Sequence, residues 1–489
     1  MPLVRQSKFA QAAGALRRVL SENPNCGESH KALAFVLSET NHAAFAIHHI
    51  EQAERILGPV PPVLLDKTIV FRNAVKLKQS IASAREAIAA LPDAPLLWAI
   101  LASNLHADGE LDEMDSVLAD ALKKFGNHAA LTRTLAVAKM ERKDYQAAVE
   151  ILNDGPTPPE TDALSLFERG RCFEALGEYA KAWADWMRAK DLQRAAGCLW
   201  NRAQAETRFA ALADVVRPRH FRGLEKSGRH EQAPQPIFIT GLPRSGTTML
   251  EAALVAHPKI AGGDEMMALP DLLQAMPAIL GVRLPYPRCL GALRLEENRH
   301  MAGALSDLYL RKAIQKVGWE KNMSWFTDKM PSNELHWPLI SLLFPESPII
   351  HTQRHPLDVV VSNMSHNLVH GGFISCGLDV FARHMVMVAE LQAHYRAKLP
   401  GLNLRQVPYE QFVADQKAGI DALLPPGLAP DPACYEFHLS PWRSRTISHR
   451  QIKEKVSTRS VGRYRPFLEF LKPVLAGLAP IMERQGYAI

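Results

Sequence analysis

The stretch that decides the fold is residues 235–250, QPIFITGLPRSGTTML. Its first part, residues 236–240, is a short apolar and β-branched run that predicts a buried parallel strand. A glycine-containing loop comes next, and Thr247 and Thr248 lead into an apolar helical pattern, MLEAALVAH. This order of strand, loop and helix is typical of an anion site, because backbone N–H groups and the positive end of the helix dipole converge on a bound phosphate.

The loop is similar to a Walker A loop but lacks its lysine. Gly241 and Gly246 are five residues apart, as in that motif, but Thr247 stands where the lysine should follow. The cation lies inside the loop instead, at Arg244. This pattern argues against nucleotide hydrolysis and favours another reaction on an anionic group.

The composition indicates a globular protein of two or three domains, because 489 residues are too many for one core. The formal net charge of +6 suits an anionic ligand but is too diffuse to predict a nucleic-acid partner. Six scattered cysteines without a CxxC pair predict a reducing compartment and no metal site. An amphipathic N-terminus and the lack of an 18-residue apolar run predict a cytoplasmic protein with no membrane partner.

Residues 1–215 carry a helical repeat. Steps of 34 residues back from Tyr179 reach Tyr145, Leu111, Leu77, Ala43 and Phe9. Mostly small residues lie three positions after each of these, and mostly large apolar residues lie seven positions after. Small residues at fixed offsets let antiparallel helices approach closely, and the large ones fill the seam between units.

The period resembles that of the tetratricopeptide repeat (TPR), a solenoid whose concave face binds extended peptides or another subunit. The alternative is a helical bundle with coincidental spacing, which six frames in one register disfavour. We interpret residues 216–234, a basic and non-periodic stretch, as a linker, and residues 235–489 as a second domain.

Two further strand ends in this domain carry candidate catalytic groups. Asp264 and Glu265 come after a short strand, where open α/β sheets bind ligands. We assign Asp264 to the N-cap of the next helix and Glu265 to chemistry, as a general base. Lys329 ends another predicted strand and would face the loop as an electrophilic partner, although a solvated lysine is an equal alternative.

A second anion site comes after the strand that ends at Gln353. Arg354 stands at its tip, Pro356 suits the first turn of a helix, and Ser362 lies two turns along that helix. Arg354 and Ser362 would share one phosphate. Two phosphate sites after two strands predict a nucleotide that is phosphorylated at both ends.

The motifs GLPRSGTT, GGDE, DKMPSN and RHPLDVVVSN, in this order, resemble those of the sulfotransferases, most closely the tyrosylprotein sulfotransferase branch. The resemblance covers most of residues 235–489. It implies a P-loop-like α/β domain with a central parallel sheet, so that the fold class of the chain is α + α/β. It also implies transfer of a sulfuryl group from 3′-phosphoadenosine-5′-phosphosulfate (PAPS) to a hydroxyl, without a metal.

The resemblance also implies roles for single residues. The loop residues would hold the 5′-phosphosulfate, and Arg354 and Ser362 would hold the 3′-phosphate. Glu265 matches the catalytic base of the family, and Arg244 and Lys329 would stabilise charge on the transferred group. The remaining donor contacts would come from Tyr409 and from the C-terminal segment, residues 444–467. The full set of donor-binding residues is Arg244, Ser245, Gly246, Thr247, Thr248, Arg354, Ser362, Tyr409, Lys453, Ser457 and Arg463.

Alternatives remain at three points. His351 or His355 would replace Glu265 as the base if the chain followed the branches that use histidine. A P-loop NTPase or small-molecule kinase, or a non-catalytic scaffold, would replace the sulfotransferase. The acceptor is most simply a protein or peptide tyrosine recruited by the repeats, but a glycan, a lipid or a small-molecule hydroxyl stays open.

Overall fold

The structure is a computed structural model, and it describes residues 9–216, 224, 226–227, 233–318, 320, 322–368, 372–446 and 451–488. The chain divides into two compact units, Met1–Leu192 and Gln193–Ile489. Each unit has its own hydrophobic core.

The first unit consists of helices in two interleaved series. One series is α1 (Phe9–Glu22), α3 (Ala43–Leu57), α5 (Leu77–Ala90), α7 (Leu111–Phe125), α9 (Tyr145–Asn153) and α11 (Tyr179–Ala195). The other is α2 (Gly27–Glu39), α4 (Pro61–Asn73), α6 (Pro95–Asp108), α8 (Ala129–Glu141) and α10 (Ala163–Ala175). Every helix begins 34 residues after the preceding helix of its series, so the predicted repeat and its register are confirmed.

Small residues at the predicted offsets lie where these helices meet. Ala34, Ala102 and Ala136 are fully buried, as are Ala46 and Ala148 on the partner series. Gly170 on α10 is an extreme case, because a Cβ there would lie 2.4 Å from Nε1 of the Trp186 indole. The repeat therefore builds its core from close helix contacts that only small side chains permit.

The second unit begins earlier than we expected. Helix α12 (Arg202–Val215), which the periodicity places with the repeats, contributes Leu212 to the core that also contains Phe238 and Phe326. Because the apolar face of α12 packs there, the contacts of residues 193–216 belong to the α/β unit. Much of the predicted linker 216–234 lies outside the described residues.

A five-stranded parallel sheet forms the centre of the second unit, in the order β2-β3-β1-β4-β5. Its strands are β1 (Gln235–Thr240), β2 (Ile260–Ala261), β3 (Trp325–Lys329), β4 (Ile349–Gln353) and β5 (Leu404–Pro408). Alternate residues of β1 enter two cores, Phe238 on one face and Ile237 and Ile239 on the other. Helices cover both faces, so the predicted α + α/β fold class is confirmed.

The helices of this unit connect and flank the strands. After α12 they are α13 (Thr247–Val255), α14 (Ala268–Ile279), α15 (Met301–Val317), α16 (Trp337–Leu343), α17 (Pro356–Met364), α18 (Leu378–Lys398), α19 (Tyr409–Ala414), α20 (Gln416–Leu423), α21 (Pro432–Tyr435) and α22 (Leu468–Arg484). Within the described ranges, no helix is long and apolar enough to cross a bilayer.

All five strands deliver a candidate site residue at the same edge of the sheet. The loop 241–246 comes after β1, the turn 262–265 after β2, Arg354 after β4 and Tyr409 after β5, and Lys329 ends β3. Parallel strands bring their carboxyl ends together, so the topology gathers these residues at one place.

Candidate functional site

A cavity of about 1600 Å³ opens at this edge of the sheet. Its lining includes the loop after β1, the C-terminal segment, α12, residues 330–336 and residues from α14 and α18. The arginines and lysines among the described residues of the lining are Arg208, Arg244, Arg288, Arg354, Arg445, Lys455, Arg459 and Arg463. Glu265 lines the same cavity.

The loop after β1 is held in a conformation that needs glycine. Gly241 and Gly246 have φ values of 149° and 109°, and Arg244 itself has φ of 70°. A Cβ on Gly241 would lie 2.2 Å from Thr352 Oγ1, whose hydroxyl instead hydrogen-bonds Ser245 Oγ at 2.6 Å. Helix α13 begins directly after the loop, so its first backbone N–H groups have no intrahelical acceptor and are available to an anion.

Arg354 lies against the loop and is 8% exposed. Its guanidinium stacks 4.6 Å from the centre of the Tyr409 ring, and Nη1 donates to the carbonyl oxygen of Arg244 at 3.1 Å. The Tyr409 ring also covers Gly246, where a Cβ would lie 2.7 Å from the ring. Among the described residues, Nε of Arg354 has no hydrogen-bond partner.

The two predicted phosphate sites are adjacent in space. Ser362 Oγ accepts a hydrogen bond from Nε of Arg244 at 3.1 Å, and Arg354 donates to the carbonyl oxygen of the same Arg244. Ser362, Arg354 and Arg244 all line the cavity. Arg354 and Ser362 are therefore close together, as predicted. Ser362 is hydrogen-bonded to Arg244 of the loop, which we had assigned to the other phosphate site.

Glu265 and Lys329 form an ion pair, with 3.0 Å between Oε1 and Nζ. Lys329 also lies 2.9 Å from Asp264 Oδ1, and its side chain has no exposed surface. Burial alone would lower the pKa of Lys329, but the negative charges of Asp264 and Glu265 outweigh burial and raise it. We expected Lys329 to face the loop, but its ammonium group faces the carboxylates of Asp264 and Glu265 instead. Of Lys329 and Glu265, only Glu265 lines the cavity.

Asp264 is not the helix cap that we expected. Helix α14 begins at Ala268 and is preceded by Met267, whereas Asp264 has φ of 56° in a turn before it. Its Oδ1 accepts from Ser444 Oγ at 2.8 Å, and its Oδ2 accepts from the backbone N–H of Arg445 at 2.7 Å. Asp264 therefore joins the acidic turn to the C-terminal segment.

The C-terminal segment meets part of the prediction. Ser457 and Arg463 line the cavity, and Arg463 donates to Ser365 Oγ at 3.1 Å. Lys453 does not take the expected position, because its ammonium donates to the carbonyl oxygens of Ser440 and Trp442. Its neighbour Lys455 lines the cavity instead.

The two histidines that could replace Glu265 as the base are engaged elsewhere. Burial lowers the pKa of His351 to about 3, and its Nδ1 lies 3.2 Å from Thr240 Oγ1. The ring of His355 stacks on Tyr464, and its Nε2 lies 2.9 Å from the carbonyl oxygen of Ala488. Neither His351 nor His355 is among the described residues that line the cavity.

Sequence reasoning missed Asp358, which connects the second anion site to the C-terminal segment. Its two carboxylate oxygens accept from the backbone N–H groups of Gly462 and Tyr464, each at 2.9 Å, and Oδ2 lies 3.7 Å from Arg354. The position of Asp358 on an apolar helix gave a weak signal, because a carboxylate there needs a partner.

In the described part of the chain, no group of three or more His, Cys, Asp or Glu side chains is arranged to hold a metal ion.

Residues 236–425 match the sequence model of the Sulfotransferase family. An uncharacterized protein of Aquifex aeolicus (strain VF5) is 26% identical over 396 residues, which are 78% of this chain and 48% of that protein. Protein-tyrosine sulfotransferase 2 of Gallus gallus is 22% identical over 284 residues, 53% of this chain and 71% of that protein. A putative protein-tyrosine sulfotransferase of Caenorhabditis briggsae is 54% identical over 139 residues, 28% of this chain and 46% of that protein.

The chain thus spans about half the length of the first of these relatives, 48%. The matched residues include the loop, Glu265, Lys329, Arg354 and Tyr409. Residues 236–425 thus match the Sulfotransferase family, in a chain that also carries tetratricopeptide-like repeats, and the chain resembles the protein-tyrosine sulfotransferase branch.

Proposed function

We propose that this protein transfers a sulfuryl group from PAPS to the hydroxyl of a protein or peptide tyrosine. The observation that carries the proposal is the cavity in which a cation-lined anion cradle and the carboxylate of Glu265 occur together. An anionic donor and a base for the acceptor hydroxyl are the two requirements of sulfuryl transfer.

The residues present fit the donor. The glycine loop leaves no room for a Cβ at Gly241 or Gly246, and the helix after it begins with open N–H groups. Nε of Arg354 is buried without a partner among the described residues, as expected for a guanidinium whose ligand is a phosphate. Eight arginines and lysines of the described residues line the cavity, which suits a nucleotide with several negative charges.

Within this proposal, the loop residues 244–248 hold the 5′-phosphosulfate, and Arg354 and Ser362 hold the 3′-phosphate. Tyr409 orients Arg354 through its ring. Ser457 and Arg463 would contact the donor from the C-terminal segment, and Lys455 takes the place expected for Lys453. When bound, PAPS supplies an activated sulfuryl group.

Glu265 would hold the proton that the acceptor hydroxyl loses. Its carboxylate reaches the cavity, and its Oε1 is fixed by Lys329 at 3.0 Å. His336 and His384 also line the cavity, but burial, followed by the charge of Arg208, lowers their pKa values to about 3 and about 4. Imidazoles with such pKa values are weak bases near neutral pH, and within the described residues neither histidine is fixed by an ion pair as Glu265 is by Lys329.

The acceptor assignment rests on the relatives and on the repeats. Of the relatives reported above, one is named a protein-tyrosine sulfotransferase and one a putative protein-tyrosine sulfotransferase. In the first unit, the ninth position of helices α2, α4, α6, α8 and α10 holds Phe35, Ile69, Ser103, Val137 and Arg171, and the three apolar side chains among them are only partly buried. These partly buried apolar side chains support our proposal that the concave face of the repeats binds a protein or peptide acceptor.

The test is calorimetric binding of 3′-phosphoadenosine 5′-phosphate, beside ATP with magnesium, to the full chain and to Arg354→Ala. We expect binding of the bisphosphate without a metal and a loss of about a hundredfold or more in Arg354→Ala, since this variant removes the buried guanidinium that would bind the 3′-phosphate. Arg299→Ala is the matched control, because Arg299 is an exposed arginine of the same unit that pairs with Glu296.

Preference for ATP with magnesium would contradict the proposal and favour a kinase or an NTPase. Binding of neither nucleotide would favour a non-catalytic scaffold. Once donor binding is established, transfer of radioactive sulfate from PAPS to matched peptides with tyrosine, serine or phenylalanine at one position tests the acceptor. Labelling of the serine peptide alone would contradict the tyrosine assignment.

A further inference from the structure

We propose that Glu251, on the helix after the anion-binding loop, is a positioning residue that fixes where the Glu265 carboxylate stands in the cavity. It acts by holding the turn 263–265, beside Lys329. This inference rests on the proposed function, but its first consequence, a rigid turn, is measurable without catalysis.

One oxygen of Glu251 holds the turn through two hydrogen bonds. Oε1 accepts from the backbone N–H of Asp264 at 2.8 Å and from Thr327 Oγ1 at 2.7 Å. Thr327 in turn accepts, through the same hydroxyl, the backbone N–H of Gly263 at 3.1 Å. Glu251 thus connects α13 to β3 and to the turn that carries Glu265.

The turn needs this support, because its backbone is strained. Asp264 has φ of 56°, in the left-handed region that L residues adopt at a cost. Gly263 lies so close to β3 that a Cβ there would be 2.0 Å from the carbonyl oxygen of Thr327. Such a conformation persists only where its surroundings fix it, and the contacts of Glu251 are part of those surroundings.

Glu251 also lies beside Lys329, whose ammonium group pairs with Glu265. Its Oε2 is 4.0 Å from Lys329 Nζ, and Lys329 has no exposed surface. Burial raises the pKa of Glu251 to about 8, so near neutral pH the carboxyl group keeps its proton. The charge of Lys329 is then left to Asp264 and Glu265, with Lys316 and Arg445 as the other charged groups close to this cluster.

The experiment compares Glu251→Ala and Glu251→Gln with the wild-type full chain in two measurements. The first is amide hydrogen exchange, by mass spectrometry, of peptides that cover residues 259–267. The second is kcat for sulfuryl transfer, beside the Kd of 3′-phosphoadenosine 5′-phosphate. We expect Glu251→Ala to raise exchange in the turn at least tenfold and to lower kcat by about tenfold to a hundredfold, with Kd changed less than threefold.

Glu251→Gln keeps an oxygen that accepts both hydrogen bonds, so we expect its exchange to stay within about threefold of the wild type and its kcat to fall less. If Glu251→Ala does not fold, Thr327→Val removes one of the two hydrogen bonds and tests the same link. Asp185→Asn is the control for loss of a buried carboxylate elsewhere, since Asp185 pairs with Arg169 in the first unit. It should change neither measurement.

Unchanged exchange in Glu251→Ala would overturn the inference, and so would faster exchange with an unchanged kcat. A loss of kcat that matches a loss of folded protein would also overturn it, because Glu251 would then be a stability residue only. A wild-type chain that binds no bisphosphate and transfers no sulfuryl group refutes the proposed function and this catalytic role together. The exchange measurement still decides whether Glu251 holds the turn.

Discussion

Gly170 in the first unit and Gly246 in the second both lie too close to an aromatic ring to carry a Cβ, but for different reasons. A Cβ on Gly170 would lie 2.4 Å from Trp186, and one on Gly246 would lie 2.7 Å from Tyr409. Gly170 lies inside a helix, where the missing side chain lets α10 and α11 approach. Gly246 has φ of 109° and leaves the start of α13 open to a ligand. The first contact serves packing, and we propose that the second serves binding.

The two units also differ in how many ionisable side chains they bury. Among the described residues, the first unit buries Asp185 and Lys190, whereas the second buries Glu251, Asp264, Asp328, Lys329, Glu334, Arg354 and Asp358. Buried ionisable groups cost stability unless they are well paired or neutral, so the second unit accepts a cost that the first largely avoids. We therefore expect substitutions in the core of the first unit to change stability alone, and substitutions of the buried ionisable groups in the second to change binding, catalysis and pH dependence.

The largest expected effect is that of Gly246→Ala. A Cβ there would strain the backbone at positive φ and displace the Tyr409 ring, and with it the stacked Arg354. We expect the Kd of 3′-phosphoadenosine 5′-phosphate, measured by calorimetry, to rise by about a hundredfold or more. Gly303→Ala is the control, because a Cβ on Gly303 meets no atom within 4 Å. Equal affinity in both variants would contradict the role that we give to Gly246.

The second effect is on the pH dependence of stability. Burial raises the pKa of Glu334 to about 8, above that of the unfolded chain, so the folded state keeps a proton that the unfolded state releases. The resulting stabilisation is complete below the unfolded pKa and is lost as pH rises towards 8. Glu334→Gln lacks this titration. From pH 5 to pH 8, its free energy of unfolding relative to that of the wild type should therefore rise by about 1–3 kcal/mol, which thermal unfolding at pH 5, 6.5 and 8 measures. A constant difference would show that Glu334 is not buried as a neutral acid.

The smallest effects are those of two glycines in the repeats. Gly170→Ala must displace Trp186 and should lower the free energy of unfolding of the first unit by about 1–2 kcal/mol, with donor binding within twofold of the wild type. Gly14→Ala is the matched substitution in α1, where a Cβ meets nothing within 4 Å, and should stabilise by about 0.5–1 kcal/mol. Hydrogen exchange of first-unit peptides measures both. Weaker donor binding in Gly170→Ala would break the distinction between the units.

The sequence predicted those features that depend on periodicity and on local order. The six positions from Phe9 to Tyr179 are the first residues of six helices, and the predicted strand before the loop is β1. The loop, Glu265, Arg354, Ser362 and Tyr409 come together because parallel strands end at one edge of the sheet and place the residues after them there. These predictions needed only the side-chain pattern and the topology that the pattern implies.

The errors concern contacts between segments that are distant in sequence. Asp264 precedes a helix and has the right chemistry for a cap, but Lys329, Ser444 and Arg445 bind its carboxylate instead. Lys453 and Lys455 are two residues apart in a segment without a regular pattern of apolar residues. The sequence therefore does not show which of the two lysines faces the cavity. Local patterns do not specify such choices, because long-range packing decides them.

The regular spacing of the repeat helices has a consequence for how this chain can change in evolution. Because every helix of a series begins 34 residues after the last, a gene segment that encodes one period can be duplicated or lost without altering the environment of the other helices. The loop from Gly241 to Gly246 has no such freedom, since its backbone and side chains meet specific neighbours. Among homologues, we therefore expect the first unit to differ in length by whole periods, and the loop to keep its length.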